Sequence, residues 1–519
     1  MDDGLQRGLK NRHLQMIAFG GVVGASIWYG TGTAIANSGP LGALICFFIV
    51  GVDVFFVMQS LGEMSTLFPV QGAFIELAGR FIDPAFSFSL GWNYVYLWIT
   101  NEQYANMQQI ANDYNNISLI MGLWTTAVPG YAWILLFWAG FQCTSLLGIV
   151  FYGEMEFYLA CWKLICVVGG FLVAILVNTG AVGGEYIGFR YWGEPGAIAN
   201  GINGFGKTFV LAAVYYCGTE MLALTAAESK NPKADLPRAI RQTFWRILVI
   251  FIGLVFFAGL IVPSDSPTLL TAASKSAQSP WTIALVHAGW AGAGNLLNVV
   301  MITAQFSSVN SAIYVASRSL VALAVQGRAP RLFARTTRDG VPARATVFVN
   351  ALGLIALLNV ASSPGQVFTY IVDIAGAATF IAWAFVGITH LRMRKAWVLQ
   401  GHSVDVLPYK ALFHPYGTWF VVFINLFLVF ISGYSVFVGG FAAVDFIFSY
   451  IVIVIFTLLY LFWKFFKGTK IVSLRDVDLV TGRRENLIHD RVQDIGGSAE
   501  IEKGARPPWY IIVKRIIFS

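Results

Sequence analysis

The sequence predicts an all-α membrane protein with twelve transmembrane helices, in which helices one and six are broken and the first ten form a five-plus-five inverted repeat. Three observations carry this. Of 519 residues, 57% are hydrophobic and only 12% charged, against about 25% charged in soluble domains, and the mean hydropathy is +0.67. Apolar runs of about 20 residues, the length that crosses a bilayer, recur from end to end. Two of them, Ile17–Gly32 and Leu211–Ile240, are interrupted by glycine and polar residues at corresponding places in two halves, the pattern that marks a transporter's binding region.

The spans fall near residues 14–36, 41–66, 86–112, 130–150, 154–178, 205–227, 243–263, 291–321, 344–361, 367–391, 416–439 and 442–466. The core is therefore 14–466, between a short N-terminus, 1–13, and a polar C-terminal tail, 467–519. The third span is diluted by Asn101, Glu102, Gln103 and Asn106. The even count puts both termini on one side. Arg7, Lys10 and Arg12 precede span one, while Lys230, Lys233, Arg238 and Arg241 follow span six. Further clusters after span eight (Arg328 to Arg344), span ten (Arg392, Arg394, Lys395) and span twelve (Lys464, Lys467, Lys470) alternate correctly. The opposite loops hold little beyond Arg190 and Lys275. The positive-inside rule makes both termini cytoplasmic. Spans one and six then run in opposite directions, as an inverted repeat requires.

Several function classes fall away. The pI near 9.1 reflects basic loops between spans, not a nucleic-acid surface. Cys46, Cys143, Cys161, Cys166 and Cys217 lie in apolar runs without CxxC spacing, so neither a disulfide framework nor a metal site is indicated. Gly201, Gly204 and Gly206 do not have the spacing of a phosphate cradle. No catalytic constellation and no cofactor are indicated. The first apolar run leads into a continuing bundle and reads as a span, not as a cleaved signal. Asn116-Ile117-Ser118 is a glycosylation sequon in what reads as an external loop after span three.

The two interruptions carry the chemistry. At the first, Gly20, Gly21, Gly24, Ala25 and Ser26 precede a half-helix restarting near Ile27, whose N-terminal dipole suits a carboxylate. Gly20 and Gly24 also form a GxxxG, which serves close helix packing equally well. At the second, carbonyls near Tyr216 and Cys217, beside Gly218 and Thr219, suit an ammonium group. Together Gly24, Ala25, Ser26, Ile27, Tyr216, Cys217, Gly218 and Thr219 read as a site for a zwitterion. Glu220 reads as a brace for the unwound stretch, and Glu228 as a gate or salt-bridge residue beside Lys230 or a later arginine. Glu102, a carboxylate at bilayer depth, is a substrate-site candidate by default. Lys163 lies inside span five, with Glu154 and Glu156 expected too near the membrane edge to reach it; a buried lysine that exchanges a proton can replace a coupling cation.

The chain resembles the fungal amino-acid permeases, the yeast amino acid transporter family of the amino acid–polyamine–organocation superfamily. The resemblance rests on RGLKNRHLQMIAFGG at 7–21, SGPLGAL at 38–44, GWNY at 91–94, YGEMEF at 152–157, GTE at 218–220 and AAESKNP at 226–232. It continues through LPRAI at 236–240, the NSAIYVASRSLVALA run from Asn310, PYGTW at 415–419 and DLVTGRRE at 478–485. It implies the LeuT-type fold and proton-coupled amino-acid uptake across the plasma membrane, with a lysine usual at the position of Lys163. Two departures bear on substrate. Ala25, Ser26 and Ile27 stand where a TGL-like turn is usual, and EQYA at 102–105 stands where LPAE is usual, so Ala105 replaces a glutamate and Glu102 lies one helical turn earlier. The expected partners are a small amino-acid-like substrate, a proton and the lipid bilayer; no oligomeric state is implied. Two rival readings are a carnitine or polyamine transporter, favoured by Glu102, and a nutrient receptor that binds without transporting.

Overall fold

The computed structural model describes residues 11–100, 110–225, 228–229, 232–271, 274, 276–337, 340–360, 377–437, 441 and 443–483. Among the described residues the chain is helical and contains no strand. Five helices among the described residues are long and apolar enough to cross a membrane: Ile27–Leu67, Ile149–Asn178, Asp235–Ile261, Ala293–Val325 and Ser449–Lys467.

Helix α1, Asn11–Val22, stops at a short irregular stretch, and α2 restarts at Ile27 and runs to Leu67. At 41 residues, α2 is roughly 60 Å of helix by rise per residue, about twice a hydrocarbon core. It is two helices meeting at a kink. Gly39 has φ +75° and is followed by Pro40, which lacks an N–H. The freed backbone groups are taken up locally: the Leu41 amide donates to the Ala197 carbonyl at 3.0 Å, and the Ala199 amide donates to Ser38 at 2.9 Å. A short amphipathic helix that the span pattern did not include, α3 (Ala73–Phe81), leads into α4, Pro84–Thr100.

Helix α5, Ile110–Trp124, begins within the expected third span and continues through the region expected to be a loop after it. The sequon residue Asn116 therefore stands on a helix. Ile110, Tyr114 and Ile117 recur at helical spacing and are fully buried, and the Tyr114 hydroxyl donates to Asn350 Oδ1 at 2.5 Å. Helices α6 (Gly130–Ser145) and α7 (Ile149–Asn178) follow. The second interrupted segment is α8, Gly201–Tyr216, an irregular stretch, and α9, Met221–Thr225. Helix α10, Pro232–Ile261, begins well before the expected span. Two short helices, α11 (Thr268–Thr271) and α12 (Pro280–His287), precede α13, Ala293–Val325. Then come α14 (Ala343–Leu352), a 3-10 segment Gly353–Val360, α15 (Ala378–Leu399), α16 (Tyr416–Ile431) and α17 (Ala443–Lys467).

Between helices in lipid, van der Waals fit and hydrogen bonds replace the hydrophobic drive, and both are evident. The bent α2 packs along α8 and α10, while α1 packs against α7, α10 and α13. Buried polar pairs tie helices far apart in sequence. The Asn425 amide donates to both oxygens of Asp53 at 3.1 and 3.0 Å. Glu63, at the end of α2, accepts from Arg394 Nη2 and from the Ala411 amide, both at 2.7 Å, with His390 Nε2 at 3.2 Å. Gly468–Asp478, assigned from sequence to the tail, is held to the helices. Asp83 accepts from Thr469 at 2.8 Å and pairs with Lys464, and the Val472 amide donates to Ile82 at 2.9 Å. Burial pushes the Asp83 carboxyl up, but hydrogen bonds from Lys464, the Ala85 amide and Thr469 outweigh it and hold it below the usual range. Residues from Leu479 form a separate compact unit, described as far as Arg483, whose amide donates to Val480 at 3.0 Å.

Candidate functional site

The two irregular stretches meet. At the first, Val23–Ser26, the Ser26 carbonyl accepts from the Gly30 amide at 2.9 Å as α2 begins. The same carbonyl accepts from the Tyr215 hydroxyl of α8 at 2.9 Å, so the second broken segment grips the first. Ala25, Ser26 and Ile27 are all buried, and no side chain caps the start of α2.

At the second stretch, Gly218 has φ +95°, a backbone state that L side chains rarely adopt. A Cβ there would lie 3.5 Å from Val22 Cγ2 and 3.5 Å from Trp98 Cη2, in ordinary contact. The requirement for glycine at Gly218 is therefore conformational first and steric only beyond Cβ. Glu220 reaches back over the stretch. It accepts from the Gly218 amide at 3.0 Å, from the Tyr94 hydroxyl at 3.0 Å and from Trp383 Nε1 at 3.2 Å. The Cys217 thiol lies 3.1 Å from the Thr379 hydroxyl. The Tyr216 ring turns away into the packing with Phe251, and its hydroxyl donates to the Phe47 carbonyl at 3.2 Å. Thr219 Oγ1 is buried and has no hydrogen-bond partner among the described residues, which leaves a polar atom at the stretch for something else to satisfy.

Lys163 is buried in α7, and its Nζ donates to the Gly20 carbonyl at 2.6 Å, at the end of α1 just before the first break. Glu156 is also fully buried and accepts from Ser307, whose hydroxyl lies 3.3 Å from the same Gly20 carbonyl. For Glu156 this corrects the expectation that Glu154 and Glu156 lie too near the membrane edge to reach Lys163. Glu156 sits seven residues before Lys163, two turns away on one helix face, and both side chains lean onto Gly20. Glu154 differs: it pairs with Arg12 and lies 3.1 Å from His13 Nε2. Nearer the end of the bundle, Glu228 is buried and accepts from Arg318 Nε at 3.2 Å, so its partner is an arginine of α13. Glu102, Ala105 and Lys230 lie outside the described residues.

Several members of this site carried no strong sequence signal. Tyr94, Tyr215, Thr379 and Trp383 are ordinary residues of apolar helices, and only the fold brings them to the breaks. Glu156 did carry one, as a carboxylate just inside the fifth span.

Residues 13–475 match the family model described as "Amino acid permease". The general amino acid permease AGP3 of Saccharomyces cerevisiae is 41% identical over 490 residues, covering 94% of this chain and 86% of that protein. The lysine-specific permease of the same yeast is 35% identical over 495 residues, with 93% and 80% covered. The S-adenosylmethionine permease GAP4 of Candida albicans is 34% identical over 516 residues, with 98% and 83% covered. Among solved structures, the Eremococcus coleocola manganese transporter superposes with a TM-score of 0.54 over 88% of this chain and 94% of its own, at 12% identity, a likeness of fold alone. A multi-pass helical chain with two interrupted segments in contact, matched over nearly its whole length by named permeases, belongs to the amino acid permease family.

Proposed function

We propose that this permease imports amino acids across the plasma membrane by proton symport. It has twelve spans, both termini cytoplasmic, and the first ten spans in an inverted five-plus-five repeat. Transport works by alternating access: the two broken segments and their neighbours rock against the remaining helices around a fixed site. The start of α2 at Ala25, Ser26 and Ile27 presents a positive dipole end to the substrate carboxylate. The end of α8 at Tyr216 and Cys217 presents carbonyls to its ammonium group. Thr219 adds a hydroxyl that has no partner among the described residues. Glu102 shapes substrate choice, Glu220 braces the second break, and Glu228 with Arg318 closes the cytoplasmic end.

The observation that carries the reading is the bond of 2.6 Å from Lys163 Nζ to the Gly20 carbonyl. A protonated lysine pins the end of α1 to α7, as a bound cation does in other carriers. A neutral lysine holds it less firmly, because a hydrogen bond with a charged donor is roughly twice as strong as a neutral one. Protonation is thereby tied to the position of the first broken segment. The test is competition uptake in cells stripped of their own permeases, at external pH of about 5 and about 8, on either side of the histidine range. Saturable uptake of a defined set of amino acids, faster at the lower pH, is expected. Binding without flux of any amino acid refutes transport, and flux indifferent to pH refutes the proton.

A further inference from the structure

We infer that Glu156 is a second proton-binding group of this carrier, and that the polar side chains between it and the Glu228–Arg318 pair are the route by which the proton leaves Lys163 for the cytoplasm. This rests on the proton-symport reading above and assigns the groups that reading leaves unnamed.

The geometry begins at Gly20. Lys163 and Glu156 both converge on its carbonyl, the first by direct donation and the second through Ser307. Glu156 Oε1 is bonded to Ser307, whereas Oε2 is buried without a well-formed hydrogen bond among the described residues, with the Ser311 hydroxyl facing the carboxyl. A buried carboxylate with a spare oxygen is costly as a fixed anion and well suited to receive a proton. The groups facing the pair come from four helices: the Gly20 carbonyl of α1, Asp113 of α5, Ser307 and Ser311 of α13, and Tyr152 of α7 itself.

From Glu156 the polar groups continue in one direction. Ser307, Ser311, Tyr314 and Arg318 are spaced four, three and four residues apart, so they line one face of α13. Tyr152 OH is 3.3 Å from Ser311 Oγ, and its ring stacks on Tyr314 with centroids 4.6 Å apart. Arg318 lies 4.2 Å over the Tyr314 ring and donates to Glu228. Beside these residues is a cavity of about 20 Å³ lined by Tyr152, Asn310, Tyr314 and Arg318 among others, enough for one bridging water.

The transfer balances without a co-reactant. An N–H bond at Lys163 Nζ breaks and an O–H bond forms at Glu156, leaving a neutral amine and a neutral acid. The acid then gives its proton to the hydroxyls and water, each breaking its own O–H towards Glu228 as it forms one with the incoming proton, and Lys163 is reloaded from the other side.

The test uses the purified full chain in proteoliposomes, with a labelled mixture of the twenty L-amino acids as probe. Two fluxes are compared: uptake driven by an imposed pH gradient, and exchange of labelled for unlabelled amino acid at equal pH. Glu156→Gln should cut gradient-driven uptake at least about tenfold while exchange stays within about threefold, a barrier on the proton step alone. Tyr152→Phe should slow gradient-driven uptake several-fold with the same split. Gradient-driven uptake at the wild-type rate in Tyr152→Phe and in a folded Glu156→Gln overturns the inference and leaves proton symport standing. Equal loss of both fluxes in the two variants overturns it as well, because that marks a structural role. Wild-type protein indifferent to the gradient removes the symport reading, and the inference with it.

Discussion

Gly20→Ala should destabilise the protein through Glu156. A Cβ at Gly20 overlaps Glu156 Oε1 and lies 3.0 Å from both Glu156 Cδ and Ser307 Oγ. To admit a methyl group the carboxylate must swing away from Ser307. That forfeits a hydrogen bond to a charged group, about 1.5–3 kcal/mol, at a depth where no bulk water replaces it. Overpacking alone costs about 1–3 kcal/mol. The two effects share one cause, so about 3 kcal/mol is the expected total, which lowers the unfolding midpoint by several degrees. Purified protein in detergent is followed by thermal unfolding, for Gly20→Ala in the wild-type and Glu156→Ala backgrounds. Truncating Glu156 removes the obstruction, so Gly20→Ala should cost at least about 1.5 kcal/mol less there, a coupling typical of touching residues. The same penalty in both backgrounds refutes the placement of Glu156 against Gly20.

Three further outcomes are expected. Gly218→Ala keeps ordinary contacts at Cβ but cannot relax φ +95°, so it should cost about 1–2 kcal/mol; Gly218→Leu also meets Trp98 and Val22, and a well-expressed Leu variant with wild-type uptake contradicts the role given to this break. Ser26→Gly should widen the range of competing amino acids, and an unchanged competition profile would show that the Ser26 side chain points away from the substrate. Just before α16, burial, then His390 and Arg394, push the His414 imidazole from 6.5 down to about 4. Opened states therefore bind the proton first, and the segment 401–415 should lose protection as pH falls from about 6.5 towards 4; hydrogen exchange in that segment that does not quicken between pH 7 and pH 5, once intrinsic exchange is corrected for, contradicts this.

What was legible in the sequence was what depends on composition and local pattern. Both interruptions were visible because glycine and charge stand out in an apolar run, and Gly218 does adopt a positive φ. The helix beyond residue 112 is not legible because Asp113, Asn115 and Asn116 read as polar loop. Their helix buries Ile110, Tyr114 and Ile117 on one face and satisfies Tyr114 through Asn350, a partner 236 residues away. Asp53 with Asn425, and Glu63 with His390 and Arg394, escaped notice for the same reason: each group is unremarkable alone and acquires meaning only when the fold supplies its partner. From sequence, Glu156 reads as too near the end of its span to pair with Lys163. Lys163 nevertheless donates to the Gly20 carbonyl, and Glu156 is tied to the same carbonyl through Ser307, because α1 packs against both α7 and α13.

The central claim is that Lys163 couples a proton to the position of the first broken segment. Its most direct test is accumulation of labelled amino acid in proteoliposomes under an imposed pH gradient, wild type against Lys163→Met, with substrate binding measured on the same preparations. The wild type should accumulate substrate above the external concentration and lose that accumulation when the gradient is collapsed. Lys163→Met should bind substrate yet reach only equilibration. A Lys163→Met protein that still accumulates substrate with the wild-type dependence on pH would contradict the claim and move the coupled proton to another group.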